Sequence, residues 1–471
     1  MSDSPKQFIK RFIGFSMGPV LSAVINFFTV SLTTYFISPA ESGKVSIYAM
    51  VLSVSSMLIF LGLDQAFTRQ FNSEEDKRKL FINAALPPLA VSIIIGAMGM
   101  IVYKKMSVMI IGEVDGFIMA LLAISLPLTV IDRFNLLLIR MQEKAKLYSF
   151  FNIMNKLIYA LVLIPYLMCI ESTYKSIIIV TFLTLLAICI VEFLFTKDYW
   201  IQKIALDKKL LHEMFKYGLP LIPATVVIAI LNSMDKVAIK HWSNFHEVGI
   251  YSTAMKIVSV VAIVQSAFCT FWTPTAFKWY EDKVPGEKFI KVSNMLMCIM
   301  TFMFTGIVLF KDIIIKILSP EYMAAAKVVP FLVLLPVMYT VSEATCLGIS
   351  FSKKTWYNIL VSISAVVVNF LCNILLVPKV GAVGASIATG FAYIVFFWMR
   401  TIISRKLWFK FKVTLYALDI LCMVALGFAS ITINNVWLNI ALSVLIIIVN
   451  YRELVMILSY GKAIINKRKN H

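Results

Sequence analysis

Residues 175–196 read KSIIIVTFLTLLAICIVEFLFT, and residues 197–215 continue KDYWIQKIALDKKLLHEMF. A helix needs about 20 mostly apolar residues to cross the hydrocarbon core of a bilayer. The first stretch supplies them, with Glu192 as its one carboxylate. The second sets Leu206, Leu210, Leu211, Met214 and Phe215 among Lys203, Lys208, Lys209 and the following Lys216. That pattern is amphipathic and is expected to lie along the cytoplasmic face of a membrane. A spanning helix that runs into a basic surface segment fixes the fold class: an all-α, polytopic membrane protein.

Apolar runs of similar length recur on both sides of this junction, from Phe12 almost to the C-terminus. They predict helices at 13–37, 43–63, 80–103, 117–138, 147–169 and 175–196, then 216–240, 247–272, 288–313, 323–350, 355–378 and 383–404. A last pair is expected at 412–433 and 436–459, for about 14 spans in all. Of the 471 residues 60% are hydrophobic and 15% charged, and the mean hydropathy is +0.87. Soluble domains hold about 45–50% apolar and about 25% charged residues, so the solvent for this surface is lipid. Barrel strands would alternate apolar and polar over about ten residues; these runs do not.

The net charge of +19 is placed for a membrane and not for nucleic acid. Under the predicted topology 32 of the 44 lysines and arginines fall in cytoplasmic segments, the positive-inside bias. Both termini are therefore expected in the cytoplasm. The N-terminal basic stretch and long apolar run, without an A-x-A-like end, read as a retained first helix. The seven cysteines form no C-x-x-C pattern, so no disulfide framework or zinc site is indicated. His241 and His246 share one outer loop and read as loop polarity.

The linker 197–215 separates an N-terminal six-helix lobe, 1–196, from a second at 216–405; residues 406–471 add a two-helix hairpin and a basic tail. Glu41-Ser42-Gly43-Lys44-Val45-Ser46 follows the first helix of the first lobe. Glu247-Val248-Gly249-Ile250-Tyr251-Ser252 follows the first helix of the second. The shared Glu-x-Gly-x-x-Ser suggests duplicated bundles, a transporter architecture.

Charge inside a bilayer costs roughly 2.5–3.5 kcal/mol on insertion scales and marks function or a partner. Lys156 shares a helix face with Asn152, Asn155 and Tyr159. Lys256 is flanked by Ser252 and Ser259, and Ser266 and Thr270 extend that stripe. Ser22, Asn26, Thr29 and Thr33, and Asn358, Ser362, Asn369 and Asn373, form further polar stripes. Together they predict a water-filled, cationic lumen suited to an anionic solute, with snorkelling of the lysines and interhelical glue as the ordinary alternatives. Sequence neighbours suggest the pairs Asp64 with Arg69, Asp132 with Arg133, and Asp235 with Lys236. Asp64, Asp235, Lys236 and Glu343 are the gating or ion-coupling candidates, Glu343 through proton exchange; Glu192 and Asp419 lie closer to the inner interface. No Walker A loop, dinucleotide glycine pattern or metal-binding His/Glu spacing occurs, so no enzyme activity, cofactor or metal is expected.

Several motifs resemble the polysaccharide-export flippases of the multidrug/oligosaccharidyl-lipid/polysaccharide superfamily. They include Leu61-Gly62-Leu63-Asp64 with Arg69, Arg140-Met141-Gln142, and Tyr217-Gly218-Leu219-Pro220-Leu221-Ile222-Pro223. Asn232-Ser233-Met234-Asp235-Lys236 and Val248-Gly249-Ile250-Tyr251-Ser252-Thr253-Ala254-Met255-Lys256-Ile257 follow. Tyr322 with Ala325-Ala326, Val329-Pro330-Phe331-Leu332, Asn373-Ile374-Leu375-Leu376-Val377-Pro378 and Gly381-Ala382-Val383-Gly384-Ala385-Ser386 complete the set, over roughly 10–405. The resemblance implies a V-shaped pair of lobes around a cationic lumen, in the bacterial inner membrane. It also implies a cargo of undecaprenyl-pyrophosphate-linked oligosaccharide for O-antigen, capsule or exopolysaccharide synthesis. Lys156 and Lys256 would then neutralise the pyrophosphate, and Arg69 and Arg133 would capture it at the cytoplasmic entrance. Expected partners are that lipid-linked sugar, membrane lipid, a polysaccharide polymerase and a chain-length regulator, with no nucleic acid. The rival readings are a multidrug or cation antiporter, a lipid II flippase and a membrane scaffold. Lipid II flippases carry basic residues in their first helix, and no Lys or Arg lies between Ile13 and Ile37.

Overall fold

The computed structural model describes residues 21–22, 24–29, 31–201, 206–354 and 356–459. Most of the expected helix 13–37, part of the linker and the basic tail lie outside them. Every predicted span from 43–63 onward meets a helix. Among the described residues nine helices are long and apolar enough to cross a membrane, or up to twelve when bent pairs count as one span.

The chain divides into two compact units, Met1–Ser233 and Met234–His471. The first contains α1 (Pro39–Ile59), α2 (Leu63–Gln70), α3 (Lys77–Ile101), α4 (Tyr103–Ile111), α5 (Gly116–Met141), α6 (Ala145–Cys169), α7 (Tyr174–Trp200) and α8 (Lys208–Gly218). After a short 3₁₀ turn, α9 (Ile222–Trp242) runs through the division. The second unit holds α10 (Phe245–Glu281), α11 (Gly286–Leu318), α12 (Val329–Thr345), α13 (Leu347–Phe351), α14 (Tyr357–Leu407), α15 (Thr414–Thr432) and α16 (Val436–Val449). The spans predicted at 355–378 and 383–404 are the two arms of α14. They meet at Pro378 and Gly381, where φ is +54° and the helix breaks.

Helix starts follow local chemistry. Asp76, Asp115 and Asn244 each accept a backbone N–H from the first turn of α3, α5 and α10. Such caps satisfy donors that have no partner inside the helix. Large apolar side chains on the spans, such as Ile94, Met98, Leu194 and Leu375, are exposed, which identifies the lipid-facing surface.

The amphipathic segment expected on the membrane face packs part of its apolar side on protein. Leu210 and Met214 of α8 are buried in an aromatic core with Phe67, Phe81 and Phe134, so protein covers that part of the apolar face, while Leu206 stays exposed. Its start is fixed from α3: Lys79 Nζ lies 2.6 Å from Asp207, and Asn83 Oδ1 accepts from Asp207 N at 2.9 Å. Its end meets the loop after α1. Gly62 has φ +70°, and a Cβ there would stand 2.4 Å from Gly218 O. Two motifs far apart in sequence, Leu61-Gly62-Leu63-Asp64 and Tyr217-Gly218-Leu219-Pro220, therefore meet backbone to backbone. Only glycine allows that approach.

The internal repeat has a structural counterpart. Glu41, in the first turn of α1, accepts the backbone N–H of Tyr174 at 2.8 Å, 133 residues on. Glu247, in the first turn of α10, accepts that of Ala382 at 2.9 Å, 135 residues on. Tyr174 opens α7, and Ala382 opens the second arm of α14. Each glutamate thus seals the exposed N-terminus of a later helix in its own unit, where negative charge is favoured.

Candidate functional sites in the two units

Charge in the first unit is distributed by helix geometry, which overturns the pairs suggested by sequence adjacency. Residues next to one another point away from each other on a helix, and only neighbours three or four apart share a face. Asp64 and Arg69 are five apart on α2 and stand on different faces. Asp64 is instead bound by Arg133 of α5, Nη2 to Oδ2 at 2.7 Å, with the guanidinium over Phe60. Arg69 lies over the Tyr217 ring at 4.3 Å. It borders an open cavity of about 650 Å³ with Glu74, Glu213 and Lys216.

Asp132 does not pair with its neighbour Arg133 as a bridge. It lies within electrostatic reach of Lys156 on α6 and Glu192 on α7. Lys156 is half-buried beside it, with Asn152 and Asn155 on the same helix. Asn152 donates to Tyr148 O at 2.8 Å, back along its own helix. Glu192 is fully buried and accepts from Asn135 at 3.4 Å; Asn135 is in turn held by Thr196 and Trp200.

In the second unit, Asp235 organises a closed polar cluster that sequence spacing did not reveal. Asn369 and Asn373 donate to its Oδ1 at 3.1 and 2.8 Å. Tyr251 and Thr389 donate hydroxyls to its Oδ2. All of these side chains are buried. The Asn369 and Asn373 stripe, expected to line a lumen, therefore seals an interhelical junction of α9, α10 and α14. Lys236 lies within electrostatic reach of both Asp235 and, on α10, Lys256. Both lysines are half-buried. Ser252, one turn before Lys256, is buried, while Ser259 donates back to Lys256 O and Thr270 back to Ser266 O. Those two hydroxyls satisfy their own helix and add no evidence of a lumen. Ser22, Thr29 and Thr33 are likewise buried.

Glu343 of α12 is held by Arg400 of α14, Nη1 to Oε1 at 2.6 Å, and the same nitrogen donates to Ser342 Oγ at 2.8 Å. The carboxylate expected to exchange a proton is thus an ion-pair partner. Sequence reasoning missed Arg400, which stands near the cytoplasmic end of the span predicted at 383–404 and there reads as part of the positive-inside bias. Its spacing of four, three and four from Arg400 back through Phe396 and Tyr393 to Thr389 was the available signal.

The family described as polysaccharide biosynthesis protein matches residues 32–327. The chain belongs to that family. A solved lipid II flippase MurJ, in an inward closed conformation, superposes with a TM-score of 0.68 at 12% identity, over 96% of this chain and 99% of that one. An inward-facing multidrug resistance MATE family transporter of the MOP superfamily gives 0.60 at 13% identity, over 84% and 97%. These likenesses establish a shared fold. An uncharacterized membrane protein of Methanocaldococcus jannaschii is 23% identical over 199 residues, covering 41% of this chain and 39% of that protein. The chain thus matches well under half of that relative's length.

Proposed function

We propose that this protein is a flippase for polyprenyl-pyrophosphate-linked oligosaccharides, moving them outward across the cytoplasmic membrane by alternating access. The observation that carries the reading is the joining of a polysaccharide biosynthesis family with a transporter fold. The charges support it. Each unit retains a half-buried lysine in a membrane helix, Lys156 in α6 and Lys256 in α10. Such lysines are costly in lipid and suit an anionic cargo in water. Lys156 is partly offset by Asp132; Lys256 has as its electrostatic neighbour Lys236, which Asp235 partly offsets in turn. Arg69, open to solvent on Tyr217, serves as the capture group. Arg133 is committed to Asp64, which leaves it a gating task within its own unit in place of capture. With a cell interior negative, outward movement of anionic charge gains about 2.3 kcal/mol per charge per 100 mV. O-antigen, capsule and exopolysaccharide units are the cargoes to be tested, with a polymerase and a chain-length regulator as partners.

The test is export. Lys156→Ala and Lys256→Ala should each cut surface polymer strongly while the protein still inserts and accumulates. Lysine-to-arginine variants should retain more activity than glutamine variants, since charge faces the pyrophosphate. Normal export by the alanine and glutamine variants would remove both lysines from the site. Deletion should leave lipid-linked units assembled on the cytoplasmic leaflet; failure to assemble them would place the protein earlier in the pathway.

A further inference from the structure

A second polar surface in the Met234–His471 unit has no role in charge neutralisation. On α14 the residues Thr389, Tyr393, Phe396 and Arg400 follow at intervals of four, three and four, so they form one continuous helix face. Thr389 belongs to the Asp235 cluster; the other three continue the face toward the end of the helix. From α12, Tyr339 and Glu343, four apart, meet them. The Tyr339 and Phe396 rings stack at 5.8 Å with planes 13° apart, and Tyr393 adjoins Phe396 at 5.7 Å. Arg400 lies over both Phe396 and Tyr339, at 5.2 and 5.8 Å.

Two features separate this face from ordinary packing. The Arg400–Glu343 side chains remain 11% and 19% exposed; an ion pair open to lipid would be costly, and that exposure suits a face turned to water. The rings beside it are also only half-buried. Electrostatically the pair is spent. Glu343 already neutralises Arg400, so the patch is a poor site for a pyrophosphate. Its chemistry suits a polyhydroxyl ring: aromatic faces take the apolar C–H side of a pyranose, and a carboxylate and a guanidinium take hydroxyl donors and acceptors. Few fixed polar groups among aromatic walls is the usual make-up of a small-molecule site.

We propose that Tyr339, Tyr393, Phe396 and the Glu343–Arg400 pair form a sugar-contacting subsite, separate from the lysines that meet the pyrophosphate. The proposal rests on the oligosaccharide cargo argued above. It gives Glu343 a positioning and hydrogen-bonding task in place of proton exchange.

Saturation-transfer NMR on the purified full-length protein in detergent tests it, with a panel of soluble neutral trisaccharides and, separately, inorganic pyrophosphate as probes. Sugar ring protons should receive saturation from the wild type. The signal should fall about fivefold in Tyr339→Leu and Phe396→Leu, as loss of a ring-stacking contact allows, and persist in Tyr339→Phe and Phe396→Tyr. Pyrophosphate binding should be unchanged in all four. Equal sugar signals from the leucine variants, or no signal from any trisaccharide, would overturn the subsite. In that case pyrophosphate binding that depends on Lys156 and Lys256 would leave the flippase reading standing. Loss of pyrophosphate binding in the aromatic variants would show a general collapse and also refute the separation.

Discussion

Asp235→Ala is expected to be among the most damaging single substitutions in the second unit. Its carboxylate accepts from four side chains, two on each oxygen. The two amide donors have second partners: Asn369 also donates to Thr389 Oγ1 at 3.1 Å, and Asn373 to Asn369 Oδ1 at 2.9 Å. The hydroxyls of Tyr251 and Thr389 carry most of the loss. Hydrogen bonds to a charged acceptor are worth about 1.5–3 kcal/mol each, so alanine should cost about 3–6 kcal/mol. Asp235→Asn keeps one acceptor oxygen and lets the hydroxyls turn to receive its N–H groups. It should cost about 1–3 kcal/mol, because it loses the charge and not the shape. Lys236→Ala, one residue along and on another face, should be far milder. The assay is unfolding of the purified protein in mixed detergent micelles as the denaturing detergent fraction rises, followed by tryptophan fluorescence. A change below about 1 kcal/mol for Asp235→Ala would refute the reasoning, since the cluster could not then be holding α9, α10 and α14 together. Equal costs for alanine and asparagine would refute the charge argument alone.

Two further outcomes follow from the fold. Glu41→Ala and Glu247→Ala each deprive a helix N-terminus of its acceptor, at Tyr174 and Ala382. Both should destabilise by about 1–3 kcal/mol, measured by the same unfolding assay; a large cost in one unit and none in the other would deny the structural repeat. Asp207, outside the spans, accepts from Lys79 and from the backbone N–H groups of Lys209 and Leu210, which holds its carboxyl below the usual aspartate range. A depressed carboxylate stabilises above its unfolded pKa and loses that contribution as pH falls through the folded value. Protease cleavage near α8 should therefore rise on acidification below about pH 4. Asp207→Asn should show elevated cleavage already at neutral pH, and a wild type with no acid dependence would exclude the anchor.

The sequence alone determined the solvent, the helical class and, from 43–63 onward, where helices form; of about 14 expected spans, nine to twelve stand among the described residues. Those depend on local, additive properties: length of apolar run, proline and glycine at breaks, and lysine and arginine between runs. It also held the repeat, because Glu41 and Glu247 occupy corresponding first-turn positions. It could not assign partners to the charges. Which carboxylate meets which cation depends on azimuth around each helix and on which helices pack together, and neither is encoded in adjacency. So Asp64 goes to Arg133, Asp132 comes within electrostatic reach of Lys156, and Asp235 gathers Tyr251 from the next helix and Asn369, Asn373 and Thr389 from far along the chain. The same limit applied to α8, whose amphipathic pattern is identical whether lipid or protein covers it. Only the packed unit, with Gly62 against Gly218, decided that protein covers Leu210 and Met214 while Leu206 stays exposed.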